Sequence, residues 1–197
     1  RCPFSQEYMG ETAENLAEDF QLTREAMDDY AAQSQARALA AQASGFLAEQ
    51  IEPVEVKQKR QTITFDTDEC PRADATLEKL TSLRPAFREG GKVTAGNAST
   101  VNDAAAFVLV GDRAALEAEG AAPRARIVDW VCVGVPPRIM GHGPVPAIQK
   151  LLEKTGLSIG DIDYFEVNEA FAAVNVHVEQ QLGAPRDIYE HPRNMFV

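Results

Sequence analysis

Cysteine, basic charge and long apolar runs are all scarce in this 197-residue sequence. It contains 19 Lys and Arg residues against 30 Asp and Glu residues, so its net charge is −11. A chain this acidic repels a phosphate backbone, which argues against a nucleic-acid-binding protein. The basic run at residues 57–60 is short and fits a solvated strand edge better. No stretch approaches the roughly 18 apolar residues of a transmembrane helix, so we expect no membrane span.

The cysteines are Cys2, Cys70 and Cys132, an odd number without a CxxC pair. This pattern is typical of a reducing compartment and argues against a disulfide scaffold or a zinc site. We therefore expect a cytoplasmic protein without a bound metal. The N-terminus has neither the apolar stretch of a signal peptide nor an initiator methionine, so we expect a chain that was cut or is only partly represented.

Helical periodicity is strongest in the N-terminal quarter of the chain. Thr12 precedes apolar residues at helical spacing, so we expect it to cap a first helix. Thr23, with Glu25 in the following turn, predicts the start of a second, alanine-rich helix that Gly45 ends. Further helices are predicted at residues 76–83, 113–118, 144–155 and 171–182.

Strand signals fall into two groups. Alternating β-branched residues at 54–56 and 62–65 predict two short strands. Residues 104–110, 125–135 and 164–167 predict three more, placed among the later helices. Since alternating strands and helices are typical of a mostly parallel, covered sheet, the sequence predicts an irregular α+β part followed, after about residue 94, by an α/β part.

Asn168 is the best-placed candidate for chemistry. It is predicted to lie at the carboxyl end of the strand at 164–167 and at the amino end of the next helix. Ligands bind at that edge of α/β sheets, where an asparagine can hold a water or polarise a carbonyl group. From the position alone, an asparagine that caps the helix is an equally good interpretation.

Five segments together resemble the signature sequences of the thiolase family. In the family's order they are YMGETAEN at 8–15, LRPAF at 83–87, VTAGNAS at 93–99, MGHGP at 140–144 and NEAFAA at 168–173. Each is weak alone, but together they cover almost the whole chain. The resemblance implies a transferase, specifically an acyltransferase of fatty acid metabolism. Such an acetyl-CoA acetyltransferase or 3-ketoacyl-CoA thiolase exchanges an acyl group between a cysteine and CoA.

The resemblance also implies an architecture and partners. Thiolases have a layered αβαβα fold of the α/β class, and this chain would hold an incomplete part of it. Residues 1–93 would form an α+β CoA-binding loop domain, residues 94–122 the end of the N-terminal thiolase half, and residues 123–197 the start of the C-terminal half. The expected partners are acyl-CoA and CoA as substrates, with no cofactor. The expected assembly is a homo-oligomer, either a dimer or a homotetramer.

Residue roles follow from the positions that match the family. Arg72 would reach the nucleotide part of CoA, because a guanidinium suits phosphate geometry. Asn168 would hold a water in an oxyanion hole for the thioester enolate, and such donors commonly supply the largest catalytic term. The other matched residues would line the route of the substrate. They are Met9, Phe87, Ala95 and Ser99 in the CoA and pantetheine tunnel, and Met140, Ala170 and Phe171 beside the acyl and thioester end.

Ordinary structural interpretations stand beside these roles. Arg72 lies in a polar loop, where most arginines are solvated. Phe87 and Met140 have the character of core residues, and Ser99 that of a turn residue. The chain also departs from the family pattern in ways that affect the fit of CoA. The departures are Tyr8 in place of histidine, Thr100 and Ala104 in place of glycines, and Lys79 in place of a small polar residue.

Three catalytic motifs of the family, CxSG, CxGGG and GHPxGxSG, do not occur in the 197 residues. His191 and Pro192 match the last motif only in part, because its glycines are absent. We therefore expect an internal segment of a thiolase that has no catalysis of its own. The alternative is a non-catalytic CoA-binding or scaffolding protein, and an unrelated acidic interaction domain would require five chance matches. The native mass separates the first two, since only the enzyme is a far heavier chain with a CxSG peptide.

Overall fold

The computed structural model describes residues 1–183, which form helices joined by long loops and one small sheet. The α-helices are α1 (Met9–Asp19), α2 (Arg24–Ala43), α3 (Leu77–Thr81), α4 (Arg113–Ala118), α5 (Pro144–Thr155) and α6 (Ala172–Leu182). The other elements of this part are strands β1 (Val54–Gln58) and β2 (Gln61–Phe65) and the 3-10 helices Pro137–His142 and Ile159–Asp161. Within this part no helix has the length and hydrophobicity to cross a bilayer. The partial motif at His191 lies outside the described residues.

The hydrophobic core lies where α1, α2 and α6 pack together. Leu16 and Met27 are fully buried there. Removing the apolar surface of such a side chain from water stabilises the fold by about 2 kcal/mol. Small residues such as Ala17 and Ala173 also face this core and let the helix backbones approach closely. The core therefore joins the N-terminal helices to the helix that follows Asn168.

Most helix boundaries agree with their local capping signals. The Thr23 hydroxyl accepts a hydrogen bond from the Ala26 amide at 3.1 Å, so the predicted N-cap of α2 is confirmed. Helices α3 to α6 also form within two residues of their predicted positions. Gly156 and Gly183 end α5 and α6 with φ values of +70° and +61°, a left-handed conformation that glycine adopts without strain.

The predicted helix cap at Thr12 is wrong. Helix α1 begins at Met9, with Tyr8 as its N-cap residue. The Tyr8 amide donates to the Glu11 carboxylate at 2.6 Å, which satisfies a backbone donor one turn earlier than predicted. Thr12 lies inside the helix, where its hydroxyl donates to the Met9 carbonyl at 2.7 Å.

Strands β1 and β2 form an antiparallel hairpin and confirm the strands predicted in this region. Val54 lies opposite Phe65 and Val56 opposite Ile63, so the four apolar side chains share one face. Both strands are exposed along their whole length. The hairpin is therefore held mainly by the backbone hydrogen bonds between its two strands.

The strands predicted at residues 104–110, 125–135 and 164–167 do not form in this structure. A strand needs a neighbour for its N–H and C=O groups, and the β1–β2 hairpin is the one sheet within residues 1–183. The first two segments instead leave large apolar side chains in solvent, with Phe107 94% exposed and Trp130 70% exposed. Cys132 in the second segment is exposed for the same reason.

These two exposed apolar segments predict that the chain self-associates in solution. Replacing Phe107 and Val128 with lysine should bring the mean mass measured by light scattering down towards the 21.5 kDa of one chain, because charge blocks strand pairing. The control, Gln149→Lys with Gln180→Lys, makes the same charge change at exposed polar positions. A monomeric wild-type chain, or an equal effect of the control, would contradict the prediction.

Candidate functional site

The structure brings two of the five signature segments into direct contact. An antiparallel bridge joins Ala98 to Phe171. Beside it, the Ser99 amide donates a hydrogen bond to the Ala170 carbonyl at 2.9 Å. Ser99, predicted to line the tunnel, and Ala170, predicted to lie at the acyl end, are therefore side by side, although 71 positions separate them in the sequence.

Aromatic packing adds a third and a fourth segment. The rings of Phe87 and Phe171 meet edge to face, with their centroids 6.3 Å apart. The Phe87 ring also lies against Gly10, where a Cβ atom would come within 2.3 Å of the ring carbons. Only glycine leaves that space, so this contact holds the start of α1, and with it Met9, beside Phe87.

Most of the predicted site residues are open to solvent. The core interpretation is wrong for Phe87 and Met140, which are 38% and 44% exposed. The exposed set is Met9, Arg72, Phe87, Ala95, Ser99, Met140 and Asn168, whereas Ala170 and Phe171 are half-buried. These side chains are therefore accessible to a ligand.

Asn97 connects the contact between the two segments to the core. Its carboxamide donates to Asp28 Oδ1 at 2.8 Å and accepts from the Thr94 amide at 2.8 Å. Its backbone carbonyl accepts from the first amide of α6, that of Ala172, at 2.9 Å. Asp28 is fully buried and also accepts from Arg24 Nε at 2.6 Å, so its charge is compensated on two sides.

A second buried carboxylate holds the preceding turn. Glu14 is 3% exposed and accepts hydrogen bonds from the Lys92 and Val93 amides at 2.8–2.9 Å. The Lys92 ammonium in turn donates to the Leu22 carbonyl at 2.6 Å. A carboxylate bonded to backbone N–H groups makes strong charge-assisted hydrogen bonds. Glu14 thus fixes the loop that leads into the VTAGNAS segment.

Asn168 itself does not cap a helix. Helix α6 begins at Ala172, and its N-cap residue is Phe171, so the capping interpretation is wrong. Asn168 is exposed, whereas the adjacent Glu169 is anchored to α2. The Glu169 carboxylate accepts a hydrogen bond from the Tyr30 hydroxyl at 2.7 Å. The side-chain carboxamide of Asn168 is therefore exposed, while the residue that follows it is held in place by α2.

Arg72 lies in an exposed loop that α2 orients. Its backbone amide donates to Gln35 Oε1 at 2.8 Å. Nearby, Lys79 donates to Asp74 at 3.1 Å. This hydrogen bond and the charge of Lys79 lower the pKa of Asp74, with a smaller contribution from Arg72. Lys79 is thus paired with a carboxylate, and the structure does not bring Arg72 into contact with the Ser99–Ala170 pair.

Met140 belongs to the 3-10 helix Pro137–His142, which packs on α1 and α6. Close packing occurs at Gly141, where a Cβ atom would come within 3.0 Å of Val174 and Leu16. The 3-10 helix therefore packs closely on the core at Gly141, while the Met140 side chain remains exposed.

A histidine pair beneath this segment was not predicted. His142 Nδ1 and fully buried His177 Nε2 lie 2.8 Å apart, and the Phe20 ring stacks on His142 with centroids 5.4 Å apart. Among the described residues His177 Nδ1 has no partner, so a proton there would be unsatisfied. This favours the tautomer in which His177 Nε2–H donates to His142. One feature of the sequence could have indicated a buried histidine, because His177 lies next to Val174 and Val178 on the apolar stripe of α6.

The described residues show neither a cysteine that is hydrogen-bonded to a histidine nor a metal centre. Residues 1–183 contain no group of three or more side chains suited to a metal ion. Cys70 donates to Asn102 Oδ1 at 3.2 Å in an exposed loop, and within that range no recorded hydrogen bond joins a cysteine to a histidine. Most of the predicted site residues are exposed side chains, and the carboxamide of Asn168 is one of them.

Comparison with protein families decides the identity of the chain. Residues 1–114 match the thiolase N-terminal domain, and residues 121–190 match the thiolase C-terminal domain. The chain belongs to the thiolase family. The family and the fold class expected from the resemblance are confirmed.

Named thiolases are similar across most of the chain. A 3-oxoadipyl-CoA/3-oxo-5,6-dehydrosuberyl-CoA thiolase of Escherichia coli (strain K12) is 49% identical over 185 residues, which are 93% of this chain and 46% of that protein. An acetyl-CoA acetyltransferase of Pseudomonas aeruginosa is 49% identical over 181 residues, 91% of this chain and 46% of its own length. The thiolase chain thus spans about half the length of these relatives.

Solved structures agree with the sequence relatives. The Bacillus anthracis acetyl-CoA acetyltransferase matches with a TM-score of 0.92 and 47% identity. The match covers 95% of this chain and 48% of the acetyltransferase chain. Human mitochondrial 3-ketoacyl-CoA thiolase in complex with CoA matches with a TM-score of 0.79 and 43% identity, covering 91% and 44%. The chain therefore has the same fold as the matching part of these thiolases.

The Asn97 junction should contribute strongly to stability. Asn97→Ala removes a donor from buried Asp28 and the acceptor of the Thr94 amide, so we expect the free energy of unfolding to fall by about 2–4 kcal/mol. Urea denaturation followed by circular dichroism measures the change. Asn102→Ala, at an exposed asparagine, is the control and should change it by less than about 0.5 kcal/mol. Similar losses in both variants would refute the assignment.

The histidine pair predicts a pH dependence of stability. Burial, with a smaller effect of His142, lowers the pKa of His177 from 6.5 to about 4. The unfolded chain therefore binds a proton more readily, so stability is complete above pH 6.5 and falls as the pH decreases towards 4, by at most about 3 kcal/mol. Urea midpoints between pH 7.5 and 4.5 test this against His177→Phe, which should lose less stability over the range. Parallel curves for the two proteins would count against it.

Proposed function

We propose that this chain is part of a thiolase that forms or cleaves 3-ketoacyl-CoA by acyl transfer between an active-site cysteine and CoA. In this proposal the segment supplies contacts to CoA and the oxyanion-hole residue Asn168. The Ser99–Ala170 hydrogen bond is the observation that supports it best, because it joins the predicted tunnel to the predicted acyl end at an accessible surface.

The pantetheine arm would lie along the exposed residues around this contact. Phe87 and Met9 offer apolar contacts near the start of α1, and Ser99 offers a hydroxyl and part of an ordered backbone. A tunnel of apolar side chains with a few polar groups is the usual composition of a ligand site. The bound CoA in a similar solved structure, the human mitochondrial thiolase, supports the same ligand class here.

Asn168 would act on the thioester oxygen. Its carboxamide oxygen can accept one proton of a water, whose second proton then points to the oxygen that gains negative charge in the enolate. Preorganised donors of this kind stabilise the transition state more than the ground state. The cycle also needs a thiolate nucleophile and a base, and the family motifs that carry them do not occur in the 197 residues.

Arg72 would bind the nucleotide end of CoA. Its loop is exposed and fixed to α2 through Gln35, and Lys79 is already paired with Asp74. In a chain of net charge −11, a guanidinium at this position would offset the repulsion of the CoA phosphates. The dimeric or tetrameric assembly, the cytoplasmic location and the role in fatty acid metabolism stay predictions of the same proposal.

Titration of the 197-residue chain with CoA in a calorimeter tests the binding part of the proposal. Arg72→Ala should weaken CoA binding about tenfold or more, because a hydrogen bond to a charged group is worth about 1.5–3 kcal/mol. Arg126→Ala removes an equally exposed charge outside the site and is the matched control. If the wild-type chain does not bind CoA, or if both variants lose the same affinity, the proposed CoA contact fails.

A further inference from the structure

We propose that Tyr30 and Ser34 on α2, acting through the Glu169 carboxylate, are positioning residues that fix Asn168 for work on the thioester. This inference rests on the function proposed for Asn168. It assigns a role in the site to two side chains that lie outside the five signature segments.

Both oxygens of Glu169 are occupied from the same helix. The Tyr30 hydroxyl donates to Oε1 at 2.7 Å, and the Ser34 hydroxyl donates to Oε2 at 2.5 Å. Tyr30 and Ser34 are four residues apart and so lie on one face of α2, one turn from each other. Hydrogen bonds to an ionised carboxylate are short and strong, and two of them fix its direction as well as its place.

The position of Asn168 in the chain makes this clamp important. On its N-terminal side, residues 164–167 form no strand, so no ladder holds the backbone there. On its C-terminal side, the clamp at Glu169 is followed by the Ser99–Ala170 hydrogen bond and the bridge at Phe171. Val167 packs against the core on the N-terminal side, whereas Glu169 is the neighbour of Asn168 whose side chain is held by hydrogen bonds.

Helix α2 is itself a rigid support. Tyr30 is 8% exposed and belongs to the core formed with α1 and α6, which limits the motion of its ring. Asp28, two residues before Tyr30 on the same helix, binds Asn97 and thus the other segment of the site. One helix therefore sets both sides of the contact between the segments. A carboxamide must be held within a fraction of an ångström to serve as an oxyanion-hole residue, and this arrangement provides that support.

The test measures order at Asn168 in the intact 197-residue chain by ¹⁵N relaxation. In the wild type we expect an order parameter of about 0.85, and in Tyr30→Phe and Ser34→Ala a decrease towards about 0.6, with Val174 in α6 unchanged. The matched control is Tyr164→Phe, which removes a tyrosine hydroxyl that donates to Glu166 at 3.4 Å. Ser34→Ala removes one hydroxyl from a part-exposed position, so it decides the outcome if Tyr30→Phe does not fold.

A second measurement uses acetyl-CoA labelled with ¹³C at the thioester carbonyl. Binding to the wild-type chain should move the carbonyl resonance downfield, and the two clamp variants should reduce that displacement without changing the affinity for CoA. Unchanged order and an unchanged resonance in both clamp variants, or equal effects of Tyr164→Phe, would overturn the positioning role. If Asn168→Ala retains the full displacement, the proposed oxyanion role fails instead, and the relaxation data still decide whether the clamp orders Asn168.

Discussion

The carboxamide of Asn97 is the interaction on which the arrangement of the site depends. It satisfies the buried Asp28 carboxylate and the Thr94 amide at the same time, while the backbone carbonyl of Asn97 accepts from the Ala172 amide at the start of α6. A buried carboxylate without donors is costly, so the loop, α2 and α6 are stable only in the relative positions that complete this set of bonds. The contact between the VTAGNAS and NEAFAA segments follows from it.

The helical segments and the segments predicted to be strands differ in how completely their backbone groups are hydrogen-bonded and their apolar side chains are buried. Helices α1, α2 and α6 pair their backbone groups internally and bury a common apolar face. The segments at 104–110 and 125–135 have the composition of buried strands, yet they leave Phe107 and Trp130 in solvent. They need neighbouring strands, and the relatives are about twice as long as this chain.

Two hydrogen-bonded carboxylates of this thiolase segment, buried Glu14 and exposed Glu169, serve positioning. Glu14 binds the amides of Lys92 and Val93, and Glu169 binds hydroxyls on α2. Each carboxylate orders a loop next to a predicted site residue while that residue stays exposed. In the proposed function this division is an advantage, because the ordering cost is met in folding and not on binding.

Local sequence determined the helices, the hairpin and the family, because caps, periodicity and short motifs act over a few residues. Thr23 and Gly156 mark helix ends through their own side-chain and backbone chemistry, and the five motifs predicted which residues belong to the proposed site. Tertiary structure decided what those residues touch. Strand formation at 104–110 depends on partners elsewhere, and the Tyr30–Glu169 and His142–His177 contacts join positions 139 and 35 residues apart. Such contacts are selected by burial and by the need of each enclosed polar group for a partner, and neither can be read from residues that are distant in the chain.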